Sequence, residues 1–226
     1  MGKEINAFLE LASYFFKNGY KLYMVGGTVR DFFLNAPLID MDLVTDATPD
    51  QMEKFLEDAD YTFKKYGSIK YYYEGIKFDI VTLRREYLYF DRRHPGKVRF
   101  VKSLKVDSKR RDFTINAIYL DDHFQVYDFY NGKKDLDNKT IKMVGIPLFR
   151  IKEDPLRILR ALRFAINLDF KIDPKLSKVL LKNIHLVNKI KPEKIKEELF
   201  KIKPEKELER NKLFKAYHLE HLIKGE

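Results

Sequence analysis

The chain has 226 residues, enough for one large domain or two small ones, with 45% hydrophobic residues and a formal net charge of +10. It contains no cysteine, which excludes disulfides, thiolate nucleophiles and zinc–thiolate sites. No stretch approaches a membrane span and the charged N-terminal segment does not read as a signal peptide, so a soluble, cytoplasmic protein with no membrane partner is expected. The positive charge favours a polyanionic partner or a phosphate-bearing substrate without identifying it. Part of it is concentrated from Lys171 onward, where fifteen Lys or Arg stand against nine Asp or Glu.

Residues 4–17 place Ile5, Phe8, Leu9, Ala12 and Phe15 or Phe16 at three-to-four spacing, which predicts an amphipathic helix stopped by Gly19. Leu22 to Val25 reads as a short buried strand. The Gly26-Gly27 doublet after it reads either as a plain tight turn or as a nest of backbone N–H groups ahead of a helix over 28–34. Such a nest at a helix N-terminus is a phosphate cradle, and Arg30 stands close behind it. A second strand, Asp40 to Val44, carries carboxylates at i and i+2. Period-2 geometry puts Asp40 and Asp42 on one face and Met41 and Leu43 on the other. Two adjacent acids repel and lose hydration, so they need a cation; hard oxygen ligands on a rigid strand suit Mg²⁺ bridging to phosphates.

Thr48-Pro49-Asp50-Gln51 has the form of a helix start with a capping box. Runs at 69–73 and 76–83 flank Glu74-Gly75 and predict a hairpin. Asp79, an acid in the second of these apolar strands, is either paired with Lys77 or another lysine, or is a third carboxylate near the metal. Residues 84–97, with Arg84, Arg85, Arg92, Arg93, several aromatics and Pro95-Gly96, predict an irregular excursion in which His94 is a surface histidine. Arg84 is a further candidate for nucleotide contact. Lys109 to Ala117 leads into a strand ending at Leu120, and Asp121-Asp122-His123 turns it back over 124–129. Arg111 and Asp112 are either a simple ion pair or, with Asn116, partners for phosphate and sugar hydroxyls.

A turn-rich bridge over 130–147 closes this region, and the period then becomes helical. Leu156, Leu159, Leu162 and Ile166 form the buried stripe of a helix beginning at Asp154-Pro155. Arg157, Arg160 and Arg163 follow at i, i+3 and i+6, either solvated or functional. An Asp before Pro is what an N-cap looks like. Glu153, Asp154 and Arg157 nevertheless gather acceptors and a forked donor at one helix start, a set that can also contact the edge of a base. Two further helices are expected over 175–186 and 192–201, and one more within 204–226.

The ordered set Leu22-Tyr23-Met24-Val25-Gly26-Gly27-Thr28-Val29-Arg30-Asp31, Asp40-Met41-Asp42 with Thr45-Asp46-Ala47-Thr48-Pro49, Arg110-Arg111-Asp112-Phe113-Thr114-Ile115-Asn116-Ala117 and Glu153-Asp154-Pro155-Leu156-Arg157 resembles the bacterial-type (class II) tRNA nucleotidyltransferase and poly(A) polymerase family. The resemblance spans about residues 22–200. It implies an α+β fold: a polymerase-beta-like nucleotidyltransferase palm of mixed sheet and helices over 1–148, a helical neck for base recognition over 149–203, and a short helical remnant over 204–226. Residues 84–97 look like the family's flexible loop, with Tyr87 where glycine is usual, and 192–199 resemble the neck's last motif.

By the same resemblance Asp40 and Asp42 bind two Mg²⁺ and are catalytic, with Asp79 as a further candidate. Gly26, Gly27 and Arg30 hold the triphosphate. Arg111, Asp112 and Asn116 lie near ribose and phosphate, and Asp154 and Arg157 pair with the base of CTP or ATP; Arg160 and Arg163 are further expected nucleotide-binding residues, and Glu153 is a further candidate. The implied activity is addition of CMP and AMP to the 3′ end of tRNA. Poly(A) addition, CC-only or A-only addition and a catalytically silent RNA-binding module are the alternatives. The family normally continues through helical body and tail regions that hold tRNA, whereas only about 25 residues follow the last neck motif here, so the expectation is either a fragment or a compact enzyme whose grip on nucleic acid comes from elsewhere, such as a helper protein or an oligomer.

Overall fold

The structure, a computed structural model, describes residues 2–87 and 97–223. The remainder of the expected 84–97 excursion, including His94, lies outside the described residues. The chain divides into two units: the first comprises residues up to Tyr87, Lys97–Arg111 and Ile115–Lys133, and the second Asp112–Thr114 and the chain from Lys134 onward.

In the first unit, apolar residues at helical spacing make α1 (Lys3–Lys17) one-sided, with Ile5, Phe8, Leu11, Ala12 and Phe15 buried. β1 (Leu22–Val25) runs into α2 (Gly26–Phe33), and β2 (Asp40–Thr45) follows. α3 (Pro49–Met52) is a single turn closed by the expected capping box between Thr48 and Gln51. β3 (Ser68–Tyr73) and β4 (Ile76–Thr82) form the expected hairpin, with Glu74 and Gly75 both at positive φ, as a tight primed turn requires. After β5 (Arg84–Tyr87), β6 (Lys97–Phe100) and α4 (Leu104–Ser108), the unit ends with β7 (Ile118–Leu120) and β8 (Val126–Asp128).

The main sheet has the order β3-β4-β2-β1-β7-β8, with β2 and β4 parallel and the other neighbours antiparallel. Alternation sorts its two faces. Met24, Met41, Leu43, Phe78 and Ile80 belong to the large core that also contains the buried residues of α1 and Val29 of α2. The other parity carries the acids and a smaller cluster of Tyr23, Val25, Val44, Leu83, Leu104 and Tyr119.

Residues 84–87 are not irregular, contrary to expectation: they pair with 97–100 in an antiparallel ribbon in which Tyr87 stands opposite Lys97. The 109–117 run leads into a strand as expected, with α4 before it and a 3₁₀ turn over Thr114–Asn116, and that strand, β7, is three residues long.

The second unit is built around α7 (Leu156–Leu168), whose Leu156, Ile158, Leu159, Ala161, Leu162, Phe164, Ala165 and Ile166 are buried. It contains the end of α5 (Gly132–Asp137), then β9 (Thr140–Ile141) paired in parallel with β10 (Lys171–Ile172), α6 (Pro147–Glu153), α8 (Pro174–Lys182), α9 (Pro192–Phe200) and α10 (Glu207–Ala216). Phe113 packs edge-on to Phe164 with ring centroids 5.7 Å apart. The bridge over 130–147 is more ordered than its turn residues suggest, since α5 lies within it and α6 opens at Pro147. The 204–226 region holds a 3₁₀ turn and α10 and then reverses at His218, which has positive φ, so one continuous helix is not formed. Among the described residues no helix is long and apolar enough to cross a membrane.

Candidate active site

The site on the first unit starts from a backbone constraint. Gly26 has φ +67°, a left-handed conformation that lets β1 turn straight into α2, and a Cβ there would come within 3.1 Å of Asp42 Oδ2 and 3.7 Å of Arg111 Nη1. A Cβ on Gly27 would meet the same carboxylate oxygen at 3.3 Å and Arg30 Nη2 at 3.6 Å. The glycines therefore bring peptide N–H groups, a carboxylate and two guanidinium groups around one small space. Gly27 N–H donates to Asp42 Oδ2 at 3.2 Å. The Thr28 hydroxyl accepts from Asp42 N–H at 2.7 Å and donates to the Asp40 carbonyl at 3.4 Å, tying the first turn of α2 to the strand that carries both acids.

Asp40 and Asp42 lie on one face of β2, and the parallel register with β4 sets Lys77 beside Asp40 and Asp79 beside Asp42. Lys77 Nζ lies 3.0 Å from Asp79 and 3.4 Å from Asp40. Asp79 is thus brought next to the pair, but as the ion-pair partner of Lys77. Burial pushes the Asp42 carboxyl above the usual carboxylate range and the Asp79 charge adds to the push, while the Gly27 N–H, Arg111 and Arg30 oppose it.

Arg30 is held by both oxygens of Asp31 at 2.8 Å and donates to Asn116 Oδ1 at 3.1 Å. Arg111 donates through Nε to the Tyr119 hydroxyl at 3.0 Å, with Nη2 3.2 Å from Asp107 Oδ2. Tyr119 in turn donates to Asp107 at 2.9 Å. Asp107, fully buried, also accepts from Arg110 Nε at 2.8 Å and the Arg84 N–H at 3.0 Å. Burial alone would raise its carboxyl, but Arg110, Arg111 and these hydrogen bonds hold it down at about 2. Arg84 points its side chain at Glu86 and the Tyr66 carbonyl.

Sequence reasoning missed Asp107, Tyr119 and Thr28. The Asp107/Arg111 i,i+4 spacing was a usable signal. The contact with Tyr119 depends on tertiary pairing that no local pattern carries.

The second unit holds the remaining candidates. The Asp154 Oδ1 accepts from Leu156 N–H at 3.0 Å, the turn-capping geometry that an Asp before Pro suggests, and its Oδ2 lies 4.0 Å from Arg157 Nε. Arg157 is buried and donates to the Arg150 carbonyl at 2.6 Å, with Glu153 Oε2 at 3.3 Å. Glu153 also pairs with Arg150 at 2.5 Å. The remaining arginines of the stripe are paired: Arg160 donates to Asp112, and Arg163 binds Glu198 at 2.7 Å. Both guanidinium groups also lie over the Phe164 ring, at 5.5 and 4.2 Å. Glu198, nearly fully buried, is the anion that sequence reasoning did not single out.

Among the described residues no three His, Cys, Asp or Glu side chains form a ready metal cage. The donor set is instead two strand carboxylates beside a turn that the glycines keep open. This fits Mg²⁺, which is commonly bound through one or two carboxylates together with substrate phosphates and water.

A mixed sheet bearing paired acids beside a glycine-opened helix defines the polymerase-beta-like palm class, followed here by a helical neck. The Poly A polymerase head domain family matches residues 22–142, and the chain belongs to that family, its relatives being bacterial-type CCA-adding enzymes. The chain is 39% identical over 184 residues to the CCA-adding enzyme of Staphylococcus epidermidis, a match covering 81% of this chain and 46% of that protein. It is 37% identical over 208 residues to that of Bacillus pumilus, covering 92% and 49%. The Bacillus stearothermophilus CCA-adding enzyme in complex with CTP superposes with a TM-score of 0.81 at 31% identity, over 89% of this chain and 49% of that one. A tRNA nucleotidyltransferase complexed with a primer tRNA and an incoming ATP analog gives 0.78 at 31% identity, over 96% and 63%. The chain spans about half the length of the curated relatives it matches.

Proposed function

We propose that this chain catalyses metal-dependent, template-independent nucleotidyl transfer, adding CMP and AMP from CTP and ATP to the 3′ end of tRNA. The observation that carries this reading is the Asp40/Asp42 pair beside the glycine turn, with Arg30 and Arg111 brought to the same place. Relatives named for CCA addition, and a similar structure holding CTP, support the choice of substrates.

In this reading Gly26, Gly27 and Arg30 hold the triphosphate and Arg111 adds a forked donor for phosphate oxygens. Asn116 orients Arg30, and Asp112, tied to Arg160 and to the Phe113 N–H, is the acceptor assigned to a sugar hydroxyl. Asp154 and Arg157 read the edge of the base, over a neck region of 149–203, and Arg163 with Glu198 fixes the helix that carries them. Asp40 and Asp42 would hold Mg²⁺, which when bound supplies Lewis-acid stabilisation of the attacking and leaving oxygens. Their placement on a strand with a hydroxyl tether at Thr28 keeps both carboxylates in register without help from substrate.

The test is incorporation into a tRNA lacking its 3′ terminal CCA, with CTP and ATP separately and together. Growth in Mg²⁺ that stops after three nucleotides, and is abolished by chelation, is expected. Long tails from ATP alone would instead assign poly(A) addition, the activity that the matched family's description names. RNA binding without incorporation of any nucleotide would leave only a silent RNA-binding module.

A further inference from the structure

The β5–β6 ribbon has two faces of opposite electrostatic character. Its inward parity is Arg84 opposite Phe100 and Glu86 opposite Val98. There every described charge has a counterpart: Arg84 binds Glu86 at 2.6 Å, Glu86 lies 3.6 Å from Arg110, and Phe100 fills the space that a Cβ on Gly67 would need. The outward parity is Arg85 opposite Arg99 and Tyr87 opposite Lys97. Arg85, Lys97 and Arg99 are exposed, and among the described residues none of the three has a carboxylate partner. The Arg85 guanidinium lies over the Tyr87 ring, its carbon 4.9 Å from the ring centre.

Like charges directly opposite one another weaken an antiparallel pair. A lone lysine would suffice to keep a strand edge from pairing with another chain. Two facing arginines with a third cation and an aromatic ring go beyond that need. Arginine forks bind phosphate oxygens two at a time, and a tyrosine face accepts a stacked base. The two cross-strand pairs are separated by a two-residue step of roughly 6.8 Å, comparable to the separation of successive phosphates along one nucleic-acid strand.

We propose that this outward ribbon face, Arg85, Tyr87, Lys97 and Arg99, is a docking surface for the phosphate backbone of the RNA primer. The identity of the polyanion as RNA rests on the nucleotidyl-transfer reading above. The surface uses none of the acids or glycines assigned to the nucleotide, and it places part of the RNA grip outside the lysine-rich stretch that begins at Lys171.

The experiment compares the whole chain with its R85Q/R99Q double variant, using a fluorescent RNA hairpin with a single-stranded 3′ end. Binding is measured by anisotropy at several salt concentrations, with melting temperature and the KM for CTP at saturating RNA measured alongside. Two lost phosphate contacts reduce the slope of log affinity against log salt by about 1.4 to 1.8, and weaken binding at 0.1 M salt by roughly ten- to a hundredfold. Because the arginines face each other, the variant is expected to melt no lower than the parent, and the KM for CTP is expected to stay unchanged. An unchanged salt slope overturns the proposal. So does weaker binding accompanied by a lower melting temperature with the slope intact, since the arginines would then be structural. Failure of the parent chain to incorporate any nucleotide would overturn the catalytic reading instead, and the two results are read from separate assays.

Discussion

Asp42 at the glycine turn and Asp107 in α4 are both drawn away from water, and their surroundings push them in opposite directions. Asp107 receives an arginine N–H, a tyrosine hydroxyl, a backbone N–H and a second guanidinium, and its carboxyl is held at about 2. Asp42 receives one backbone N–H at 3.2 Å, stands in register with Asp79, and is raised by its burial. Arg111 serves both, with Nη2 on Asp107 and Nη1 close to the turn at Gly26. The first region is a closed ion cluster that fixes an arginine. The second keeps a carboxylate whose charge is incompletely compensated, and such a place is where a cation and phosphates can complete the balance. The two regions thus divide labour: one spends its charges on rigidity so that the other can leave its charge open.

The largest effect expected from breaking this contrast is at Asp42. Replacement by Asn removes one donor of the proposed metal pair, and on the nucleotidyl-transfer reading incorporation is expected to fall by a factor on the order of 10⁴ or more, as for residues that act as a unit. Stability should move the other way. A carboxyl raised in the fold stabilises below its unfolded pKa, and that contribution is lost as pH rises through the folded value, so at neutral pH ionised Asp42 costs stability. The Asn variant is therefore expected to melt at or above the parent temperature at pH 7. Single-turnover assays and melting curves on the same preparation check this; retained activity, or a large drop in melting temperature, would merge the two regions into one structural role.

Asp107→Asn is the opposite case and should cost roughly 3–5 kcal/mol, because Arg110 and Arg111 would lose the buried carboxylate that they share. For a depressed carboxyl the stabilisation is present above the unfolded pKa, about 3.9, and is lost as pH falls through the folded value of about 2. Urea titrations from pH 7 down to 2 are expected to show parent and variant far apart at neutral pH and converging below about pH 4. A constant gap across that window would mean that the lost stability comes from packing and not from charge.

Much of the frame of the candidate site was legible in the sequence, for reasons that are local. Period-2 alternation alone put Asp40 and Asp42 on one face with Met41 and Leu43 on the other, and the sheet keeps that division. The glycine doublet between strand and helix marked the turn. The same alternation misjudged residues 84–87, because Arg84-Arg85-Glu86-Tyr87 carries no apolar alternation; its inward residues Arg84 and Glu86 are charges compensated by each other and by Arg110. α4 and α6 escaped notice because helices of five and seven residues carry too few turns to show a period. The arginine stripe of α7 read equally well as solvated or functional, since its partners Asp112 and Glu198 lie 48 and 35 residues away in the chain.

The smallest expected effect concerns Asp154, where capping and the proposed base reading are superimposed. Its Oδ1 is already committed to Leu156 N–H at 3.0 Å, so removing the side chain entirely confuses the two roles: Asp154→Ala should cost about 0.5–2 kcal/mol through the lost cap whatever the substrate does. Asp154→Asn separates them. An amide can keep the Oδ1 acceptor for Leu156 while placing a donor where Oδ2 stood, which preserves the turn and reverses the hydrogen-bonding sense toward a base. If Oδ2 accepts from the exocyclic amino group of C or A, the Asn variant should narrow the gap between CTP or ATP and the rejected UTP and GTP by roughly ten- to a hundredfold, since each buried group left unpaired costs about 1–3 kcal/mol. Arg157→Lys is the companion change. It keeps the charge beside Glu153 but loses the planar fork, and should shift the same ratios while lowering the melting temperature, because the guanidinium also holds the Arg150 carbonyl at 2.6 Å. The measurement is kcat/KM for all four nucleotides on one primer, with a melting curve for each variant. Nucleotide ratios that stay fixed in the Asn variant would reduce Asp154 to a cap and move base selection elsewhere on the chain.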